Sequence, residues 1–123
     1  MNLVDSSGWL EYFADGKNCL FFSKAIEDTQ NLIVSTINIY EVFKKILSEK
    51  DENSALQAIA VMHQAIIKDV DIPLSLLAAK LSIEHKLPMA DSIILATANI
   101  YKALLWTQDS DFKDVPDVQY VSK

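Results

Sequence analysis

The sequence predicts an α/β fold: a three-layer α/β/α sandwich with helices on both faces of a central, mainly parallel sheet. Three observations lead there. Short β-rich apolar runs alternate with longer segments of helical periodicity along the chain. Gly (2) and Pro (3) are scarce and half of the residues are hydrophobic, so a packed core is expected rather than disorder. A chain of 123 residues has room for one core and not two, which predicts a single domain over residues 1–123.

The first run, Leu3-Val4, reads as a short strand ending at Asp5. Ser6 can cap a following helix to about Ala14, its hydroxyl serving free N–H groups. Cys19 to Asp28 reads as a second helix, and Leu32-Ile33-Val34, too short for a helix, as a strand. Ser35 or Thr36 then caps a longer helix to about Glu49, with Ile39, Tyr40, Phe43, Ile46 and Leu47 as its apolar stripe. Asn53 starts another helix, in which Leu56, Ile59, Ala60 and His63 share a face. Ile66 to Val70 is expected to be a strand. Pro73, at home in a first helical turn, opens a helix carrying Leu74, Leu77, Ala78 and Leu81. Pro88 opens the next, from Met89 to about Tyr101, and its apolar surface runs nearly all the way round, so it should be central. Ala103–Trp106 and Val118–Val121 complete the strands. Strands separated by helices pair in parallel through right-handed crossovers, and ligands bind outside their carboxyl ends.

Charge and cysteine content narrow the function. Eleven basic against seventeen acidic residues leave a net charge of −6, which argues against holding nucleic acid on a broad basic face. It leaves open a nuclease whose acidic site borrows positive charge from a metal. No apolar run approaches the ~20 residues of a membrane span, and no basic region precedes the N-terminal apolar stretch, so neither a membrane anchor nor a signal peptide is expected. The single Cys19 cannot form an internal disulfide and fits a reducing, cytoplasmic setting as a half-buried structural thiol. His63 and His85 lack metal-ligand spacing, and Trp9 and Trp106 read as packing residues. There is no Gly-rich phosphate loop and no Gly-x-Ser-x-Gly elbow.

Four acids stand out because each adjoins an apolar run: Asp5, Glu41, Asp91 and Asp109. A carboxylate beside core residues is costly to desolvate unless its charge is compensated, and a divalent cation compensates several at once. Each also has a plainer reading. Asp5 could cap the helix at Ser6, although Ser6 and Ser7 can do that instead. Glu41 could pair with Lys45 four residues on, at only ~0.3–0.5 kcal/mol. Asp91 suits the dipole of a first helical turn, yet Ile94, Leu95 and Ala98 at +3, +4 and +7 direct it along a buried face. Asp109 and Asp111 in Thr107-Gln-Asp-Ser-Asp-Phe112 could simply form a turn; Asp109, nearer the strand end, is the better site residue, with Asp111 capping the next turn.

With these residues in order, the chain resembles the PIN-domain nucleases. Asp5-Ser-Ser-Gly-Trp-Leu10 after a strand is similar to their opening motif. Ser35 six residues before Glu41, Pro88-Met-Ala-Asp91 leading into Ile-Ile-Leu-Ala-Thr-Ala98, and Thr107-x-Asp109-x-Asp111-Phe112 match the other three motifs. The resemblance spans essentially the whole chain, whose length suits the stand-alone toxins of VapBC toxin–antitoxin pairs. Ser92 stands where many relatives carry a small apolar residue. The resemblance implies five parallel strands with the four acids at their carboxyl edge, Mg²⁺ or Mn²⁺ bound there, RNA as substrate, a homodimer and an inhibitory VapB-type antitoxin. It makes Asp5, Glu41, Asp91 and Asp109 the catalytic set. Asp5, Asp91 and Asp109 would be metal ligands, Glu41 would orient or deprotonate the attacking water, and Ser6, Thr107 and Asp111 would support the carboxylates.

Other classes fit less well. A phosphoacceptor receiver domain needs an acidic pair at the first strand and a Lys after the last, and the chain offers Asp5-Ser6-Ser7 and no such Lys. An Asp-x-Asp phosphatase fails at Ser7. A PIN-fold binding module without catalysis is the remaining alternative, and retention of all four acids weighs against it.

Overall fold

Five short apolar runs become strands because each is followed at once by residues that turn the chain into a helix or a loop. The computed structural model describes residues 1–123. The strands are β1 (Asn2–Val4), β2 (Leu32–Ser35), β3 (Ile66–Lys68), β4 (Leu104–Thr107) and β5 (Val118–Tyr120). All four pairings are parallel and the sheet order is β3-β2-β1-β4-β5. The chain thus winds outward from β1 in one direction to β3, then returns to lie on the other side of β1. The switch falls between β1 and β4, the place where open α/β sheets bind their ligands.

Six helices cover the two faces: α1 (Ser6–Phe13), α2 (Cys19–Ile26), α3 (Thr36–Glu49), α4 (Glu52–Met62), α5 (Ile72–His85) and α6 (Met89–Ile100). Alternation along the strands divides the core accordingly. Leu3, Ile33 and Leu105 pack with α5, α6 and Phe112 on one face. Val4, Leu32 and Val34 pack on the other with Trp9, Phe22, Val42, Ala58 and Met62 from α1 to α4. The expected three-layer sandwich is therefore the one observed. α6 is buried from Asp91 to Ala98 apart from Ile93, as its all-round apolarity requires.

Three local expectations need correction. α4 begins at Glu52, because the Asp51 side chain accepts from Ser54 N–H at 2.7 Å and caps it ahead of Asn53. Its buried face is Ala55, Ala58 and Met62, while Leu56 is 51% exposed and His63 is exposed too. The small residues win because α4 lies close to its neighbours. In α3, Tyr40 and Leu47 point outward, and the buried residues are Asn38 and Val42. Strand β3 ends at Lys68, two residues early.

Gly8 allows α1 to lie tight against β1 and α2. A Cβ there would meet the Phe22 ring at 2.6 Å and Val4 Cγ1 at 2.7 Å, both in the fully buried core. Gly8→Ala gains roughly 1 kcal/mol of helix propensity but overpacks a site that cannot yield, at about 1–3 kcal/mol. The expected result is a net loss of stability, measured as a lower urea midpoint with an unchanged slope.

Candidate functional site

Strand ends and helix starts place the acids together. Asp5 follows β1 at the start of α1, Glu41 lies one turn into α3, Asp91 is in the first turn of α6, and Asp109 follows β4. β1 and β4 are neighbours, so Asp5 and Asp109 flank the topological switch. α6 enters beside them, its N-terminal dipole favouring negative charge.

Asp5 is the most deeply set, at 2% exposed. It, rather than the expected Ser6, occupies the cap position of α1, and its side chain caps nothing. Instead Ser7 Oγ and Thr107 Oγ1 both donate to its Oδ2 at 2.8 Å, leaving Oδ1 for a ligand. Thr107 also accepts from the Asp109 N–H at 2.9 Å, so one buried hydroxyl ties β1 to the loop after β4. Asp109 caps its own short turn, Oδ1 accepting from Asp111 N–H at 2.9 Å. The capping role expected of Asp111 belongs to Asp109.

Asp91, Asp109 and Asp111 each bring a carboxylate oxygen to within 4.8 Å of the others. The tightest cluster thus takes in Asp111, read from the sequence as supporting, while Asp5 stands deeper behind it. Glu41, in α3, is near enough to Asp5 for its charge to raise that carboxyl, and accepts from Ser6 Oγ at 2.7 Å. Lys45, its alternative partner, pairs with Glu49 at 2.9 Å. Ser6 in turn accepts from Asn38 Nδ2 at 3.0 Å. Asn38 is fully buried and was not among the sequence candidates. Its signal there was only a polar residue inside Ile37-Asn-Ile39.

The electrostatic consequence is strong. Burial, partly offset by the Ser7 and Thr107 hydroxyls, raises the Asp5 carboxyl from 3.8 to about 6, with the charges of Asp109 and Glu41 adding to the rise. Burial first, then the charges of Asp5 and Asp109, raises Asp91 to about 8. The donors are all carboxylate oxygens with no Lys or Arg among them. That set suits a hard divalent cation such as Mg²⁺ or Mn²⁺ rather than a soft or nitrogen-ligated metal.

Beside the acids lies a cavity of about 610 Å³ between α1, α3 and α4. None of the five acids lines it; Ser7, which donates to Asp5, does, with Gln108, the apolar Leu10, Phe13 and Ile46, and Lys45, Lys50 and Lys123.

Because Asp5 and Asp91 hold protons to higher pH when folded than when unfolded, the native state binds more protons above about pH 4, and stability falls as pH rises through 6 and 8. Asp91→Asn removes part of this repulsion. In EDTA at pH 8 it should stabilise the protein by on the order of 1–2 kcal/mol, discounted for solvent at the rim, with the gain fading towards pH 4. Mg²⁺ should raise the Tm of the wild type more than that of the variant.

Residues 3–118 match the PIN domain family model. No curated protein matches the chain. Among solved structures, a toxin–antitoxin complex from Klebsiella pneumoniae is 24% identical, with a TM-score of 0.77 over 99% of this chain and 97% of that one. VapC20 of Mycobacterium tuberculosis, described as a Sarcin-Ricin loop cleaving toxin, superposes at 0.81 with 15% identity over 97% and 98%. VapBC2 of Rickettsia felis, bound to a promoter DNA fragment, gives 0.76 with 13% identity over 98% and 97%. The sheet order, the acids at its switch point and the family match over nearly the whole length agree: this chain belongs to the PIN domain family.

Proposed function

We propose that this single domain, residues 1–123, is a metal-dependent endoribonuclease and the toxin of a VapBC-type pair. The observation that carries the reading is the convergence of Asp5, Glu41, Asp91 and Asp109 from four separate elements on one edge of the sheet, with no cation of the chain among them. A stability cost of this kind is expected where charge is used. Asp91, Asp109 and the free Oδ1 of Asp5 would hold Mg²⁺ or Mn²⁺, joined by Asp111. The bound ion would supply a low-pKa water and offset charge on the phosphodiester. Ser7 and Thr107 fix the Asp5 carboxylate, and Thr107 also holds the Asp109 loop. Glu41 orients the attacking water and accepts its proton.

RNA as substrate and a VapB-type antitoxin as partner follow from the likeness to toxin–antitoxin structures. The acidic edge favours an antitoxin segment with basic side chains, and the adjoining cavity gives such a segment room. A homodimer is the expected assembly, and Ile72, Leu76 and Ile83 leave apolar surface on α5 for it. No helix is long and apolar enough to cross a membrane. A cytoplasmic location suits the free, half-buried thiol of Cys19.

The test is cleavage of a mixed RNA pool by antitoxin-free protein in Mn²⁺ or EDTA. Cutting should require the metal. It should fall in Asp5→Ala and Asp91→Asn by at least about 100-fold, beyond the 10–100-fold typical of residues that only support a ligand. A folded, fully active Asp91→Asn would sink the site assignment, and no cutting by the folded wild type would favour a binding module. Asp111→Asn should weaken Mn²⁺ binding about tenfold, read as the metal concentration giving half the full Tm rise; an unchanged midpoint removes Asp111 from the ligand set.

A further inference from the structure

We infer that Asn38 is the positioning residue of Glu41, acting through the hydroxyl of Ser6; this rests on the nuclease reading above. Asn38 sits in the first turn of α3 and is fully buried, where an amide is tolerated only if its hydrogen bonds are made. Both ends are used. Its Oδ1 accepts from the backbone N–H of Ser35 at 3.0 Å, and its Nδ2 reaches Ser6 Oγ at 3.0 Å.

These contacts fix the direction of every proton. The Ser35 N–H can only donate, so the oxygen of the amide must face it and the nitrogen must face Ser6. An amide nitrogen cannot accept. Ser6 Oγ therefore accepts from Asn38, and its single proton goes to Glu41 Oε1 at 2.7 Å. Swinging the Ser6 side chain to another rotamer would carry its oxygen away and leave the Asn38 donor buried and unpaired. One carboxylate oxygen of Glu41 is thereby pinned and the other is left for the reaction.

Capping α3 does not require this arrangement. The backbone N–H of Ser35 needs only an acceptor, which an aspartate would provide equally well. The donor half of the amide is surplus to capping, and it is spent towards the site. The relay also crosses between elements: Ser6 belongs to α1 and follows Asp5 directly, whereas Asn38 and Glu41 belong to α3. It holds Glu41 at a set distance from the carboxylates around β1.

The discriminating variant is Asn38→Asp, which keeps the acceptor for Ser35 and loses the donor for Ser6. Asn38→Ala, Ser6→Ala and the Asn38→Ala/Ser6→Ala double variant accompany it, in case a buried charge prevents folding. RNA cleavage in saturating Mn²⁺ should show kcat reduced 10–100-fold in each single variant, with KM within about twofold of wild type. The double variant should be no slower than the worse single, because both remove the same interaction. Crystal structures of Asn38→Ala and Ser6→Ala should show the Glu41 carboxylate displaced. Losses that multiply in the double variant, an Asn38→Asp enzyme with wild-type kcat, or an unmoved Glu41 would overturn the inference. Should the wild type cut no RNA, the nuclease reading fails, and the position of Glu41 in the variant crystals still decides the relay.

Discussion

The rest of the structure is arranged around negative charge held at the carboxyl edge of β1 and β4. Asp5, Asp91, Asp109 and Asp111 crowd one crevice, and none is neutralised by a side chain of the chain itself. A hydrophobic core has no reason of its own to gather them. What makes the crowding possible is a set of fixed dipoles. The Ser7 and Thr107 hydroxyls serve Asp5, the backbone N–H of Asp111 serves Asp109, and the N-terminus of α6 faces Asp91. These lower the cost without cancelling it, which is why the Asp5 and Asp91 carboxyls still rise. In the proposed function, a bound divalent cation would offset this residual imbalance.

The two hydrophobic clusters supply the rigidity that such a site needs. One packs α5 and α6 on the sheet and the other packs α1 to α4, with the strands between them and Ile37 of α3 reaching the first cluster. Each acid comes from an element anchored in one of these clusters. Leu3 and Val4 fix the strand before Asp5, Val42 adjoins Glu41, Ile94 and Leu95 follow Asp91, and Phe112 locks the turn after Asp109. A shift of any one helix would move its acid relative to the others, so core packing and site geometry are a single problem.

Much of this was readable from residue order, because period and punctuation are local properties. The five strands, the six helices, the centrality of α6 and the parallel pairing all follow from runs such as Leu32-Ile-Val34 and Ile93-Ile-Leu-Ala96. The four acids were visible for a related reason: a carboxylate beside an apolar run is locally anomalous. The failures share a cause too. In α4 two faces had comparable apolarity, and only the closeness of neighbouring elements selects Ala55 and Ala58 over Leu56. Lys45 stands four residues from both Glu41 and Glu49, and spacing alone could not say that a hydroxyl from another helix had claimed Glu41. Asn38 interrupts an apolar pair without signalling that both ends of its amide are engaged across 3 and 32 residues of sequence.

The tripeptide Asp5-Ser6-Ser7 shows how few residues organise the whole edge. Consecutive positions at the start of α1 point about 100° apart, so the two serines cannot serve the same acceptor. Ser7 folds back onto Asp5, while Ser6 turns towards α3 and Glu41. The absence of a capping bond at Asp5 is the local cost of this choice, and the 2.9 Å bond from the Asp5 N–H to Trp106 O keeps the strand pairing intact up to the point where the chain turns. A helix start left without its cap is therefore the means by which one short segment sets the orientation of two acids on different layers.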